Sequence, residues 1–512
     1  MGRVFIIGAG PGDPGLITAR GVRLLAGADV VVYDRDAEPA LRWARPDAER
    51  ISAGAPAEHD IAQAAISMLV AEKAREGHTV ARLKWGDPFV FDSGAREAMF
   101  LHEQGIAFEI VPGVPAAIGV SAYAGLPLTY PDAGDALVLI RGHEDETSRL
   151  PDLDWAALSK LEGTFACYAG GRLIPEILQR LLDGGLDPDI PGALVYRGTH
   201  AAQRTVIGSL RELLDRTAAE AEPDPALLVV GRATRLRQHL RWFDERPLFG
   251  RRIVVTRSPD SAPELVDMLE ALGAQVITAP TFRIAPAEDP EAVDRAAASV
   301  DAYQWVVFES ASAVTRFLSA LTRGPRDLRA LGQVRICAIG PSTADRLVAA
   351  GIKPDVALPE VGAESVGQAL EVHGPVTGQR VLIVRPDHLR DVVGEDLLRR
   401  GAGVTELVAY RTKAGDPDSP AAQDLYRRLL DSSIDAVTFT SPTALRRFAR
   451  LIGEDQATDL LNTTVVAAIG PVTAAAASEM GIRAPLVPET YTVEGLVQLL
   501  TEHFRQKEVA QT

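Results

Sequence analysis

The chain is poor in cysteine and in aromatics, and it has no long apolar run. Two cysteines, Cys167 and Cys337, occur in 512 residues, each inside a strand-like stretch, TFACYA and RICAIG. Isolated thiols without C-x-x-C spacing predict two buried structural residues rather than a disulfide framework or a metal site. H-E-x-x-H is missing too, so no metal is expected. No apolar run reaches the roughly 18 residues a membrane helix needs, so no membrane partner is expected. The opening MGRVFIIGAGPGDPG meets glycine after a few apolar residues, which marks a buried strand rather than a signal peptide. A cytoplasmic location follows as the default. Basic charge is in deficit: 53 Lys+Arg face 69 Asp+Glu, a formal net charge of −16. The Lys/Arg clusters are short and scattered, which argues against nucleic acid as a partner. Any anionic substrate must then be held by local arginines and backbone N–H groups against the overall field.

What is present is an ordinary globular mix, 46% hydrophobic and 24% charged, in a chain long enough for more than one domain. Short β-branched runs (VFIIGAG, ADVVVYD, HTVARLKWG, AFEIVPG, then RIVVTRS, QWVVFES, RICAIGP) alternate with helical segments. That alternation predicts an α/β fold with mostly parallel sheets. It breaks at ATRLRQHLRWFDERPLFG, and a fresh strand starts at Arg251. The break predicts a first domain over 1–240, a linker over 241–250 and a second domain over 251–503.

The second half repeats itself. Ile336-CAIGPSTADRLVAAGI resembles Val466-AAIGPVTAAAASEMGI, WVVFESASAVTRFL resembles AVTFTSPTALRRFA, and RRIVVTRS resembles QRVLIVRP. Gly340 matches Gly470, Phe308 matches Phe439 and Arg257 matches Arg385, all about 130 residues apart. Three motifs in one order at one spacing imply two similar α/β units with a cleft between them, where ligands usually sit. The recurrence makes Arg257 and Arg385, each ending the first strand of its repeat, candidates for neutralising carboxylates. Thr343 and Thr473 follow the paired Ile-Gly-Pro turns, and Ser310 and Ser441 occupy equivalent strand-to-helix turns. Such hydroxyls, with helix N-terminal N–H groups, bind carboxylates or cap the helix.

In the first half, Gly8-Ala-Gly10-Pro11-Gly12-Asp13-Pro14 follows a strand and precedes a helix. Glycine there lets backbone approach a ligand. A dinucleotide fingerprint needs a third glycine where Asp13 stands, and Pro11 removes an N–H that a pyrophosphate would use. Asp34, ending the next strand, is a cap or a functional carboxylate.

GAGPGDPGLIT, VVVYD, RLKWGDPFVF, EIVPGVPAA, YAGLPLT, YAGGRLIPEIL, RGTHAAQRTVIGSL and PALLVVG follow one another in this order. Together they resemble the S-adenosylmethionine-dependent tetrapyrrole methylases, most closely uroporphyrinogen-III C-methyltransferase, over residues 1–240. The resemblance implies two α/β subdomains around a cofactor cleft and S-adenosyl-L-methionine as cofactor. It implies Gly10, Pro11, Gly86, Asp87, Val90, Pro115, Ala116, Ala169 and Gly198 as cofactor-binding positions and Asp34 as proton acceptor. Trp85 stands in the family's Gly-Gly-Asp position. The family's Gly-Lys-Arg reads Gly54-Ala55-Pro56, its Phe-Gly-Arg-Gly-Gly reads Phe91-Asp92-Ser93-Gly94-Ala95, and its Leu-Thr-His-Arg reads Leu128-Thr129-Tyr130-Pro131. Each change removes a basic residue facing a polycarboxylate substrate, for which Arg35, Lys84 and Arg96 are the nearby replacements.

VVTRSP, WVVFESASAV, AIGPSTADRL, VLIVRPD, LVAYRT, VTFTSPTALRRF, AAIGPVTAAA and ETYTVEGLVQLL resemble uroporphyrinogen-III synthase over residues 251–503. That resemblance implies a two-domain fold without cofactor, with one subdomain of 251–283 plus 412–503 and the other of 284–411. It implies Tyr410 as the group that helps the hydroxyl of hydroxymethylbilane leave. The expected whole makes uroporphyrinogen III and methylates it toward precorrin-2, the branch to sirohaem and cobalamin, with a homodimer through the methylase half. The alternative is a first half that is a silent binding module or methylates a different corrinoid.

Overall fold

The computed structural model describes residues 2–511 except 46, 55–62, 143–149, 151, 171–172, 220–225, 257–262, 280, 325, 359–365 and 388–391. The chain divides into two compact units, residues 1–250 with 272–275, and residues 251–271 with 276–512. No helix among the described residues is long and apolar enough to cross a membrane.

The first unit opens with β1 (Arg3–Gly8), β2 (Val30–Tyr33), β3 (Glu49–Ser52), β4 (Thr79–Lys84) and β5 (Phe108–Val111). They form one parallel sheet in the order β3-β2-β4-β1-β5. Val4, Ile6, Val30, Val32 and Val80 are buried on one face, and Phe5, Ile7, Val31, Ala81 and Leu83 on the other. A sheet covered on both faces needs unbroken β-branched runs, which is why these strands show no polar alternation. A second sheet follows: β6 (Ala136–Gly142), β7 (Gly163–Ala169), β8 (Pro191–Tyr196), β9 (Arg204–Ser209) and β10 (Ala226–Val230), in the order β6-β7-β10-β8-β9. Its pairs are antiparallel except β6–β7.

The stretch 241–250 corrects the expectation of a linker, because it is packed structure of the first unit. Trp242 and Phe243 lie with ring centroids 5.2 and 4.7 Å from that of Tyr123. Trp242 Nε1 donates to Ala122 O at 2.9 Å, and Leu248 is fully buried. The proline and charges suggested a loop, but the aromatics of Arg-Trp-Phe bring enough apolar area to fix it.

The second unit begins with β11 (Arg252–Val255) and β12 (Gln275–Thr278) and continues through β13 (Phe282–Pro286), β14 (Trp305–Phe308), β15 (Arg335–Ile339), β16 (Val356–Leu358), β17 (Arg380–Pro386) and β18 (Gly403–Ala414). It ends with β19 (Ala436–Phe439) and β20 (Val465–Ala468). One sheet has the order β12-β11-β19-β20 and the other β13-β18-β17-β14-β15-β16. The repeat is visible in the pairing. β11–β19–β20 and β17–β14–β15 are the same parallel ladder twice. The side chains before β19 and β14 accept the same hydrogen bond, Asp435 from Arg252 N–H and Gln304 from Arg380 N–H, each at 2.8 Å. Phe439–Phe448 and Phe308–Phe317 are matching edge-to-face pairs, 5.5 and 5.6 Å between centroids. Both cysteines are buried, and burial pushes each thiol up to about 12, as suits structural residues.

Two candidate active sites

In parallel α/β sheets ligands bind outside the C-terminal ends of the strands. There, in the first unit, three loops meet, largely through their backbone. Gly10 and Gly86 exchange both backbone hydrogen bonds, at 3.2 and 2.9 Å. A Cβ on Gly113 would come 2.1 Å from Gly86 O, so the loop after β5 can only be glycine there. Asp87 ties the loops together, accepting from Phe89 N–H at 2.8 Å and Gly113 N–H at 3.0 Å. Gly86 itself has φ +66°, and a Cβ there would meet nothing nearer than Ala116 N at 4.0 Å, so the space beside it is unfilled although the residue is buried.

Pro11 and Asp13 are clamped from the Arg197-Gly198-Thr199 turn. Thr199 Oγ1 donates to Pro11 O at 3.2 Å and accepts from Asp13 N–H at 3.0 Å, and Tyr123 Oη donates to Asp13 Oδ2 at 2.6 Å. Gly198 is required by contact, since a Cβ would fall 2.3 Å from the Val120 side chain. Ala116 belongs to an apolar cluster with Val120 and Tyr168, against which Trp85 and Val90 pack. Pro115 is the extended residue before the helix Ala116–Tyr123. Ala169 ends β7 opposite Ala226, its side chain outside the described residues. Of the nine expected cofactor positions, all but Ala169 and Gly198 thus lie on the three loops or their apolar backing.

Asp34 precedes the 3-10 turn Arg35–Trp43, but its side chain makes no cap hydrogen bond. Its carboxylate instead takes the Arg82 guanidinium on Oδ1, with Lys84 Nζ at 3.5 Å and Trp85 N–H at 3.4 Å from Oδ2. Behind it lies a network that the motifs did not announce. Arg82 Nε meets Glu97 Oε2 at 2.9 Å, and Lys84 Nζ meets Glu97 Oε1 at 3.2 Å, Asp92 Oδ1 at 2.8 Å and Ser93 Oγ at 2.7 Å. Side chains of Arg82, Lys84 and Glu97 are 1–2% exposed, whereas Asp34 keeps 24%. Burial alone would raise Glu97, but Arg82, then Lys84, overrides it and holds its carboxyl at about 2. Burial raises the Asp92 carboxyl, with Lys84 opposing. The signal was Arg-Leu-Lys in a central strand: two cations on one face of a sheet buried on both sides demand acidic partners. Lys84 is therefore already engaged by three carboxylates and does not replace a lost substrate cation. Ser93 is part of the same network, Pro131 is exposed, and Ala55 and Pro56 lie outside the described residues.

In the second unit Tyr410, on β18, is 7% exposed, and its hydroxyl lies 3.0 Å from Ser310 Oγ. Ser310 also caps the helix Ala311–Arg323 by accepting from Ala313 N–H at 3.1 Å. Burial raises the phenol, while Ser310, Ser312 and Arg316 pull it down. Ser441 caps the helix Pro442–Ile452 in the same way, from Ala444 N–H at 3.1 Å. Thr343 and Thr473 differ from expectation. The N-caps of their helices are Gly340 and Gly470, and the threonines, inside the first turn, are only 1% and 4% exposed. Arg385, the other candidate for neutralising carboxylates, pairs with Glu406 on the neighbouring β18. Arg257 lies outside the described residues.

Residues 3–214 match the family of tetrapyrrole (corrin/porphyrin) methylases, and residues 263–498 match uroporphyrinogen-III synthase HemD. The chain is 31% identical to the porphyrin biosynthesis protein HemD of Ruminiclostridium josui over 98% of both chains. It is 36% identical to the uroporphyrinogen-III C-methyltransferase of Bacillus subtilis over 64% of this chain and 68% of that one. The uroporphyrin-III C-methyl transferase of Thermus thermophilus, solved with S-adenyl homocysteine, is 36% identical, with 46% of this chain and all of that one aligned at a TM-score of 0.40. The chain belongs to the porphyrin biosynthesis proteins that fuse a tetrapyrrole methylase to a uroporphyrinogen-III synthase.

Proposed function

We propose that the second unit closes hydroxymethylbilane to uroporphyrinogen III and that the first is an S-adenosylmethionine-dependent methylase acting toward precorrin-2. The reading is carried by the end-to-end likeness to a porphyrin biosynthesis protein, which puts both domains in one chain. The residues of the first unit suit the cofactor: unfilled space beside Gly86, glycine-only contacts between loops, and a small apolar backing at Val90 and Ala116. Bound there by Gly10, Pro11, Gly86, Asp87, Val90 and Ala116, with Pro115, Ala169 and Gly198 beside them, S-adenosylmethionine supplies the methyl group. Asp34, the most exposed carboxylate of its network, accepts the proton that the methylated carbon releases, and Arg82 fixes its orientation.

In the second unit Tyr410 donates a proton to the departing hydroxyl. The pyrroles supply the electrons, and the resulting azafulvene cation is attacked by the last ring, which is inverted through a spiro intermediate. Little is asked of the protein beyond orientation and one acid, so no cofactor and no catalytic dyad is needed. Chromatography of the product from hydroxymethylbilane tests this: type III isomer is expected, and the spontaneous type I isomer alone would refute it. A dimer through the first unit belongs to the same reading, and light scattering at a monomer mass would remove it.

The buried Lys84 favours a second reading of the first unit, in which it binds the cofactor but methylates uroporphyrinogen III poorly, or serves a different corrinoid. Each hydrogen bond to a charged partner contributes about 1.5–3 kcal/mol, and the unit has lost several cations that would make them. Calorimetry with S-adenosylhomocysteine should show binding. Methyl transfer to uroporphyrinogen III should be slow and should rise when Ser93→Arg and Pro131→Arg are combined with Ala55→Lys and Pro56→Arg. Robust precorrin-2 formation by the unaltered chain removes this second reading.

A further inference from the structure

The repeat of the second unit carries a feature that neither the motifs nor the family match assigns. Arg316 lies on the second turn of the helix Ala311–Arg323, its guanidinium 5.9 Å from the centroid of the Tyr410 ring. Arg447 lies on the second turn of the helix Pro442–Ile452, its guanidinium 5.4 Å from the centroid of Phe282. The helices are counterparts, capped by Ser310 and Ser441 with the same backbone geometry, φ −162° in both. The rings are counterparts too, in Thr-Phe-Arg and Ala-Tyr-Arg. The fold therefore builds one arrangement twice: a serine-capped helix start, an arginine above it and an aromatic ring beneath the arginine.

Both arginines are half-buried, and neither has a carboxylate within ion-pair distance among the described residues. Elsewhere in this unit arginines of similar burial are answered: Arg385 by Glu406, Arg400 by Asp396 and Glu371, Arg252 by Asp435, Arg411 by Glu288. In a chain with 69 acidic and 53 basic residues, two repeat-related arginines left without a carboxylate are an uncommon expense. Helical side chains tilt toward the helix N-terminus, so both guanidinium groups lean to the end where the backbone N–H groups are free. Each ring restricts its guanidinium from one side by a cation–π contact and leaves the planar donor fork for a second partner.

We propose that Arg316 and Arg447 are a duplicated pair of carboxylate clamps that grip the acidic side chains of a polycarboxylate tetrapyrrole. The inference rests on the synthase reading above. The two clamps differ by one atom: a phenol lies under Arg316 and a plain phenyl under Arg447, so the Arg316 end holds the acid and the Arg447 end only grips. Chemistry and binding then separate along the chain.

The test uses the full-length protein with hydroxymethylbilane and the variants Arg316→Met, Arg447→Met, Arg316→Lys and Arg447→Lys. Methionine keeps the apolar stem over the ring and deletes the charge, so a packing role would survive it. One lost charged hydrogen bond should raise KM by about tenfold or more. For Arg447→Met, kcat should stay near that of the unaltered protein; for Arg316→Met it should fall as well, because Tyr410 loses its neighbouring cation. The lysine variants should recover part of the KM. The ionic-strength dependence of KM should be shallower in both methionine variants, which a structural role would not produce. Unchanged KM in both methionine variants, in a protein whose unaltered form makes the type III isomer, overturns the clamps. Lysine variants as impaired as the methionine ones overturn them too, since charge would then not be the cause. An unaltered protein that forms no type III isomer overturns the synthase reading instead.

Discussion

Tyr410 differs from its repeat counterpart Phe282 by a single oxygen, and that oxygen is the one polar atom on the ring, 3.0 Å from Ser310 Oγ. Tyr410→Phe is expected to slow ring closure without abolishing it, because general-acid help is worth about 10²–10⁴-fold. The ring stays in place, so the melting temperature should hold. Unchanged turnover would leave Tyr410 a packing residue. Asp34→Asn is the companion in the first unit. The amide keeps an acceptor for Trp85 N–H but cannot take a proton, so methyl transfer should drop by about 10² or more while S-adenosylhomocysteine still binds. A variant that transfers methyl groups as before would return the carboxylate to a structural role. At this scale the sequence was legible where a residue's work is done by backbone, as at Gly10, Gly86 and Gly198. It was less so where a side chain's partner is distant. Arg385, a candidate for neutralising carboxylates, already pairs with Glu406, and Thr343 and Thr473 stand in the first helical turn and are buried.

Strand β4 shows why elements were easier to place than their contents. Its β-branched and leucine positions fix it as a central strand of the parallel sheet, yet Arg82 and Lys84 sit in the same run and are buried with it. A one-dimensional reading treats such cations as available, whereas a central strand can only keep them if acids arrive from elsewhere, here Asp34 just after β2 and Glu97 from the helix Gly94–Glu103. That arrangement makes a pH prediction. The Glu97 carboxyl is held at about 2, below its ordinary 4.5, so the folded unit binds fewer protons than the unfolded chain in that window. Its contribution to stability is complete above the ordinary value and is lost as pH falls from about 4.5 through about 2. Glu97→Gln should flatten the acid limb of the first unit's stability curve. At neutral pH the same variant leaves Arg82 and Lys84 undercompensated, and breaking a buried pair costs about 3–5 kcal/mol. Thermal melts of Glu97→Gln at pH 7 and across pH 2–5 check both statements, and an unshifted pH 7 transition would mean the network is solvated. The strands of the repeat were, by contrast, announced by matched motifs, because each copy must solve the same packing problem with the same residues, although the motifs do not give the pairing of each repeat's first strand with strands of the other.

For the molecule as a whole, what matters is whether each unit holds its own core. In the second unit, Val254, Val437, Phe439, Phe448 and Val466 close around one sheet, and Val306, Phe308, Phe317, Leu382 and Val384 around the other. Both clusters are completed by residues after Arg251, and a core of that size supports independent folding. The break in the α/β alternation pointed to the neighbourhood of the boundary. The first unit runs about ten residues further, because Phe243 and Leu248 are buried and Trp242 packs on Tyr123 in a segment whose charge and proline signal a loop. A cut at 240 should therefore damage the first unit, and a cut at 250 should spare it. Fragment 1–240 loses the ring contacts on Tyr123, and with them the anchor of the Tyr123 hydroxyl that holds Asp13. It should melt lower than 1–250 and bind S-adenosylhomocysteine more weakly. Fragment 251–512 should fold and convert hydroxymethylbilane to the type III isomer. Calorimetric scans of the three fragments, with isomer analysis for the last, decide the matter. Equal stability of 1–240 and 1–250 would make the aromatic segment dispensable. An insoluble 251–512, or one that leaves only type I product, would mean that the synthase unit depends on its fusion partner.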